Sequence, residues 1–333
     1  MSERDDLPSD DAEIADLLRS VGAREEPSSA IAAQVQAAVH AEWGRMIAAR
    51  RRRRVSAWAL AASVCAMAVG AAITVRYLDD DDQGKTIATL VRTEGEILVA
   101  HGEEGWTRID AGRPIAVGDS IRSDARAAFV LDTGASVRLD RGTAVRIAAD
   151  DRFALEAGAV YVDSGVGRNI GSLTISTSAG SVRHIGTQYE VRIRDDGIDV
   201  SVREGRVIIE SDHGSNVADA GERLTVSLAG SVQRSRISPS DEQWRWATEI
   251  APTYAIENVS LAAFLQWVAR ETGKPLIYES ERARLLAAGE ILHGSIDGLP
   301  PDAALAAVLS STSLHRDETK PGVILIGVND GSP

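Results

Sequence analysis

Between Val55 and Val75 run twenty-one residues without a charge, VSAWALAASVCAMAVGAAITV. Coiled as a helix they reach about 31 Å, close to the roughly 30 Å of bilayer hydrocarbon. The stretch fits one crossing. Its alanine content makes it only modestly apolar, so insertion leans on the flanks: Arg50, Arg51, Arg52, Arg53 and Arg54 before it, Asp79, Asp80, Asp81 and Asp82 after it. Arginine excess marks the cytoplasmic side of a span. The expectation is therefore one transmembrane helix over 55–78, with the amino terminus cytoplasmic and the carboxy terminus beyond the inner membrane. A cleaved signal peptide competes, with small residues at Ala66 and Ala68, but its basic region would lie behind roughly fifty residues. A buried helix of a soluble domain is the third reading.

Composition narrows what the rest can be. A chain of 333 residues, 44% hydrophobic and 26% charged, has enough material for two globular domains and a tail and is not disordered throughout. The net charge of −13 argues against direct nucleic-acid binding. Acid is concentrated beyond the apolar stretch: residues 79–333 carry 26 basic and 39 acidic side chains, whereas residues 27–54 carry six and one. The basic half of the tail thus adjoins the membrane and can meet anionic lipid. Cys65 stands alone, which rules out an internal disulfide and a cysteine-built zinc site. Six separated histidines offer no metal-ligand spacing, and Gly165-Val166-Gly167 misses the dinucleotide pattern because Ile170 stands where the third glycine belongs. The Asp79–Asp82 run has Leu90 where a calcium loop needs its bidentate acid. These patterns predict no enzyme, no cofactor and no metal.

Residues 1–54 read as a short helical tail. Ser9 or Asp10, with Glu13 three residues after Asp10, reads as a capping box for a helix through Ile14, Leu17, Leu18 and Val21, closed by Gly22. Beyond Pro27, Ile31, Val35, Val39, Trp43 and Ile47 recur every four residues and build one apolar stripe. That stripe needs a cover: the first helix, the membrane surface, or a partner protein. Trp43 is the natural anchor in either binding case.

From Thr86 to about Val232 the pattern changes to short alternating runs, such as Ala128–Leu131, Val137–Leu139 and Val200–Val202, separated by glycine turns. Regular short strands of this kind predict an all-β domain over 86–235, either a sandwich or a short solenoid. Five segments in order then resemble FecR-type domains: Gly118-Asp119-Ser120-Ile121, Val130 to Val137 around Gly134, Ala157 to Tyr161 around Gly158, Ile185 to Val191 with Gly186-Thr187, and Val202 to Val207 with Gly205. Physically these residues read as fold-shaping, with glycines at turns and apolar neighbours on an inner face.

A polar connector at 236–252 leads to a small α/β module over 253–329. Tyr254-Ala255-Ile256 reads as a strand, Ser260 as the cap of a helix closed by Gly273, and Pro275–Tyr278 as the next strand. The unit then returns with a strand at Ile291–Ile296, a helix from Pro300 or Pro301 and a last strand at Val323–Val328. The module resembles the short amino-terminal (STN-like) signalling domain of secretins and TonB-dependent transporters, on Leu261 and Leu265, Gly298 and Leu299, and Ala304, Leu305 and Leu309.

Taken together, the resemblance implies a multi-domain, single-pass signal-transducing regulator of anti-sigma type. By that likeness the tail would bind an extracytoplasmic-function sigma factor through Ile31, Val35, Val39, Trp43 and Ile47. The outer part would receive a signal from a TonB-dependent outer-membrane receptor through 253–329. A competing reading from the residues alone is an envelope scaffold, anchored once and binding another envelope component without a sigma partner.

Overall fold

Period-two alternation puts every second side chain of a strand on the same face, and in the β region one such face is apolar almost without interruption. In the computed structural model, residues 84–165, 172–320 and 322–329 are described. The tail helices, the proposed span at 55–78 and Asp79–Asp82 lie outside them. Among the described residues no helix is long and apolar enough to cross a membrane. The described residues all belong to one compact unit, Asp81–Pro333.

The β region comprises β1 (Thr86–Thr93), β2 (Ile97–His101), β3 (Thr107–Ile109), β4 (Pro114–Ala116), β5 (Asp119–Ser123), β6 (Ala127–Leu131), β7 (Ser136–Leu139) and β8 (Thr143–Ala149). It continues with β9 (Arg152–Ala157), β10 (Ala159–Asp163), β11 (Thr174–Thr177), β12 (Gly180–Arg194), β13 (Gly197–Ser211), β14 (Gly214–Asp219), β15 (Glu222–Ser227) and β16 (Val232–Arg236). All sixteen belong to one hydrogen-bonded sheet, in the order β3-β2-β5-β8-β9-β11-β12-β10-β7-β6-β1-β4, with β13 paired to β12 and carrying β14, β15 and β16. Where the sequence leaves sandwich and solenoid both open, the topology is a single sheet that curls around one core. Ile97, Phe129, Val137, Val160, Ile175, Val191 and Val200, drawn from strands spread along that order, all belong to the same buried cluster. Pairing is antiparallel except between β9 and β11.

The glycines of the FecR-like segments all sit at positive φ, and at two positions the requirement is also one of space. A Cβ on Gly158 (φ +78°) would lie 2.4 Å from Thr143 Oγ1 and 2.5 Å from the Thr143 Cα. A Cβ on Gly205 (φ +78°) would lie 2.3 Å from the carbonyl oxygen of Gly186. Gly186 itself stands where the β12–β13 register slips between Ile185 and Gln188, so the two glycines let the long hairpin bulge. Asp119 turns its carboxylate back onto its own loop, accepting from the Ala116 N–H at 2.8 Å and meeting His101 Nδ1 at 2.8 Å.

After β16, a 3-10 turn at Glu242–Trp244 runs into the five-residue helix α1 (Arg245–Glu249). The segment read as a connector therefore holds structure, and Trp244, Trp246 and Ala247 form a small core of their own with Ala159, Tyr161 and Ile237. Helix α2 (Leu261–Thr272) starts where expected, with Ser260 Oγ accepting from the Ala263 N–H, and stops at Gly273 in the left-handed conformation. Helices α3 (Glu281–Gly289) and α4 (Pro301–Leu309) complete the set. Five short strands accompany them: β17 (Val259–Ser260), β18 (Leu276–Tyr278), β19 (Ile291–Leu292), β20 (Leu314–Asp317) and β21 (Ile324–Val328). β17 pairs with β19, while β18-β21-β20 form a three-stranded sheet in which β18 and β21 run parallel.

Two local expectations differ from this arrangement. Tyr254–Ile256 is not a strand: the Ile256 carbonyl accepts the Val259 N–H across a turn in which Asn258 takes φ 60°, and the Tyr254 ring stacks on Trp267 at 5.1 Å. The strand read at 291–296 ends at Leu292, since Gly294 takes positive φ and its N–H is held by the Glu257 carboxylate. Leu261, Leu265, Ala304, Leu305 and Leu309 are buried in the core of this region, with Leu299 packed against it.

Candidate functional site

The outer face of the β sheet carries a row of polar side chains that alternation alone would assign to solvent. On β7, Val137 and Leu139 point into the core, so Ser136 and Arg138 point away from it. The same alternation turns Tyr161 outward on β10, Glu190 and Arg192 on β12, and Arg203 on β13. Register then aligns them: Tyr161 lies opposite both Arg138 and Glu190. Yet β7 and β10 are buried on both faces, because α1 and α2 cover them.

At the centre of the cover stands Glu271, near the end of α2. Arg138 donates to it through both terminal nitrogens, Nη1 to Oε2 at 2.8 Å and Nη2 to Oε1 at 2.9 Å, and Nη1 also reaches the Ala247 carbonyl at 2.8 Å. Both side chains are almost fully removed from water. Burial by itself disfavours the Arg138 charge, but the Glu271 carboxylate more than offsets it and holds the guanidinium pKa above its ordinary value. Arg203 grips the same turn of helix through its backbone, donating to the Glu271 carbonyl at 2.8 Å and to the Pro239 carbonyl at 2.6 Å. Gly273 fits beneath it because a Cβ there would lie 2.0 Å from the Pro239 oxygen.

Aromatic rings fill the space between these charges. Tyr161 meets Trp244 and Trp246 edge-on, at centroid distances of 6.0 and 6.4 Å. Burial pushes the Tyr161 phenol up to about 12 against the opposing pull of Arg203. The Trp246 indole donates to Glu190 Oε2 at 2.7 Å, and Arg192 closes the other side of that carboxylate at 3.0 Å. A second row lies one step along: Asp163 accepts from Arg270 Nη2 at 2.7 Å and from Gln188 at 2.9 Å. Arg92 on β1 adds two bonds at the far edge, to the carbonyls of Ala251 and Gly298, each at 3.1 Å.

This seam has no nucleophile–base pair at its centre, and among the described residues no His, Cys, Asp and Glu cluster could hold a metal. Its chemistry is that of a fastener. Paired charges, with Arg138 also bonded to the Ala247 carbonyl and Arg203 to the carbonyls of Glu271 and Pro239, fix the carboxy-terminal module to the sheet in one orientation. The residues that the sequence pattern singles out, Gly118, Asp119, Gly134, Gly158, Gly186, Thr187 and Gly205, are turn and bulge residues of the sheet. None of them reaches the seam's central pair. Tyr161, Glu190 and Arg203 fall inside the FecR-like segments without being singled out there, and Arg138 and Glu271 stand in no motif of the sequence. One signal is present: the apolar stripe of α2, Leu261, Phe264, Leu265 and Val268, runs on into Glu271, and a carboxylate on a buried stripe calls for a cationic partner. The tail stripe Ile31, Val35, Val39, Trp43 and Ile47, with Arg50–Arg54, lies outside the described residues.

Residues 119–208 match the family model described as FecR protein. No curated protein matches the chain. Among solved structures, two crystal structures of a proposed anti-sigma factor from Parabacteroides distasonis align at 16% identity and a TM-score of 0.33. They cover 63% and 64% of this chain and 98% and 97% of their own. A superposition that loose carries no argument.

Proposed function

From the premise that residues 119–208 form a FecR domain, a regulatory rather than enzymatic kind of domain, we propose that this chain is a single-pass inner-membrane signal transducer of anti-sigma type. The observation that carries the reading is that match, standing on the carboxy-terminal side of a basic, apolar and acidic succession of residues at 50–82. The tail contacts a cytoplasmic extracytoplasmic-function sigma factor along Ile31, Val35, Val39, Trp43 and Ile47. The STN-like module over 253–329 receives a TonB-dependent receptor's signalling domain on the far side. Membrane lipid meets the arginine cluster, and Arg50–Arg54 and Asp79–Asp82 set the topology. The seam supports this division of labour, because a load taken by α2 passes through Glu271 and Arg270 into the sheet strands that hold Arg138 and Asp163.

The test is co-purification of the full-length protein from its own cells, native against Trp43→Ala and Val39→Asp. A sigma factor retained by the native chain and released by both substitutions is the expected result. Retention of no sigma factor, with the tail binding anionic vesicles, would replace this reading with the anchored envelope scaffold.

A further inference from the structure

We draw no further inference here: the strongest candidate, the cavity of about 430 Å³ lined by helix α4 and the edge strand β20, has an edge whose Leu314 N–H and carbonyl are already bonded to the Thr312 and Asn329 side chains, and nothing in the structure shows what covers it.

Discussion

Arg138 and Glu271 are 133 residues apart in the chain and joined by two parallel bonds of 2.8 and 2.9 Å in a site closed to water. One belongs to the stretch that matches the FecR family model and the other to helix α2 of the carboxy-terminal module. The two parts of the unit therefore share a deeply buried ion pair.

Removing one partner leaves the other charge buried and unpaired, which costs about 3–5 kcal/mol. Arg138→Met and Glu271→Leu should each lower the stability of the 81–333 unit by that order in chemical denaturation. The double substitution should recover most of the loss, because an apolar pair needs no compensation. Additive losses would show that the bonds contribute nothing as a pair.

Glycine positions give a prediction with two signs. Gly205→Ala forces a Cβ to within 2.3 Å of a backbone oxygen at φ +78°, and should destabilise by more than about 1 kcal/mol. Gly289→Ala, in the last turn of α3 with nothing within 4 Å of its Cβ and no positive φ, should be neutral or stabilising by up to about 1 kcal/mol. Thermal melts of the two variants decide it.

Trp246 donates to a buried carboxylate, and Trp246→Phe removes both the N–H and the volume of the second ring from a buried site. A loss of about 1.5–3 kcal/mol is expected for a bond to a charged group. The parallel change Trp106→Phe, at a ring 40% exposed, should stay within about 0.5 kcal/mol. Equal effects at the two sites would remove the Glu190 bond from the account.

His184 sets an acid limit. Its folded pKa lies below the unfolded value of 6.5 because burial penalises the charged ring. Above 6.5 both states are neutral and pH has no effect through this group; as pH falls below it, the unfolded chain takes up a proton that the folded chain refuses. Stability then declines by at most about 1.4 kcal/mol per pH unit until the folded pKa is reached. His184→Gln should flatten the stability profile below about pH 6.5 relative to the native protein. Parallel profiles would place the acid sensitivity elsewhere.

Local chemistry is legible from the residues. Alternation locates the strands at Ala128–Leu131, Val137–Leu139 and Val200–Val202, because one side of a strand must be apolar to be buried. Ser260 and Gly273 bound α2, because an N-cap oxygen and a left-handed C-cap are requirements of any helix end. Helix α3 has its own cap, with Ser280 Oγ accepting from the Ala283 N–H, but no apolar stripe to draw the eye to it, since only Ala283 and Ala287 are buried. The fate of the second face of β7, β10, β12 and β13 belongs to the tertiary structure. Period two states which residues share a face and is silent about what covers it. Arg138, Tyr161, Glu190 and Arg203 have the pattern of solvent-facing positions and become interior when α1 and α2 fold over them, which is why a row that reads as surface holds the unit together.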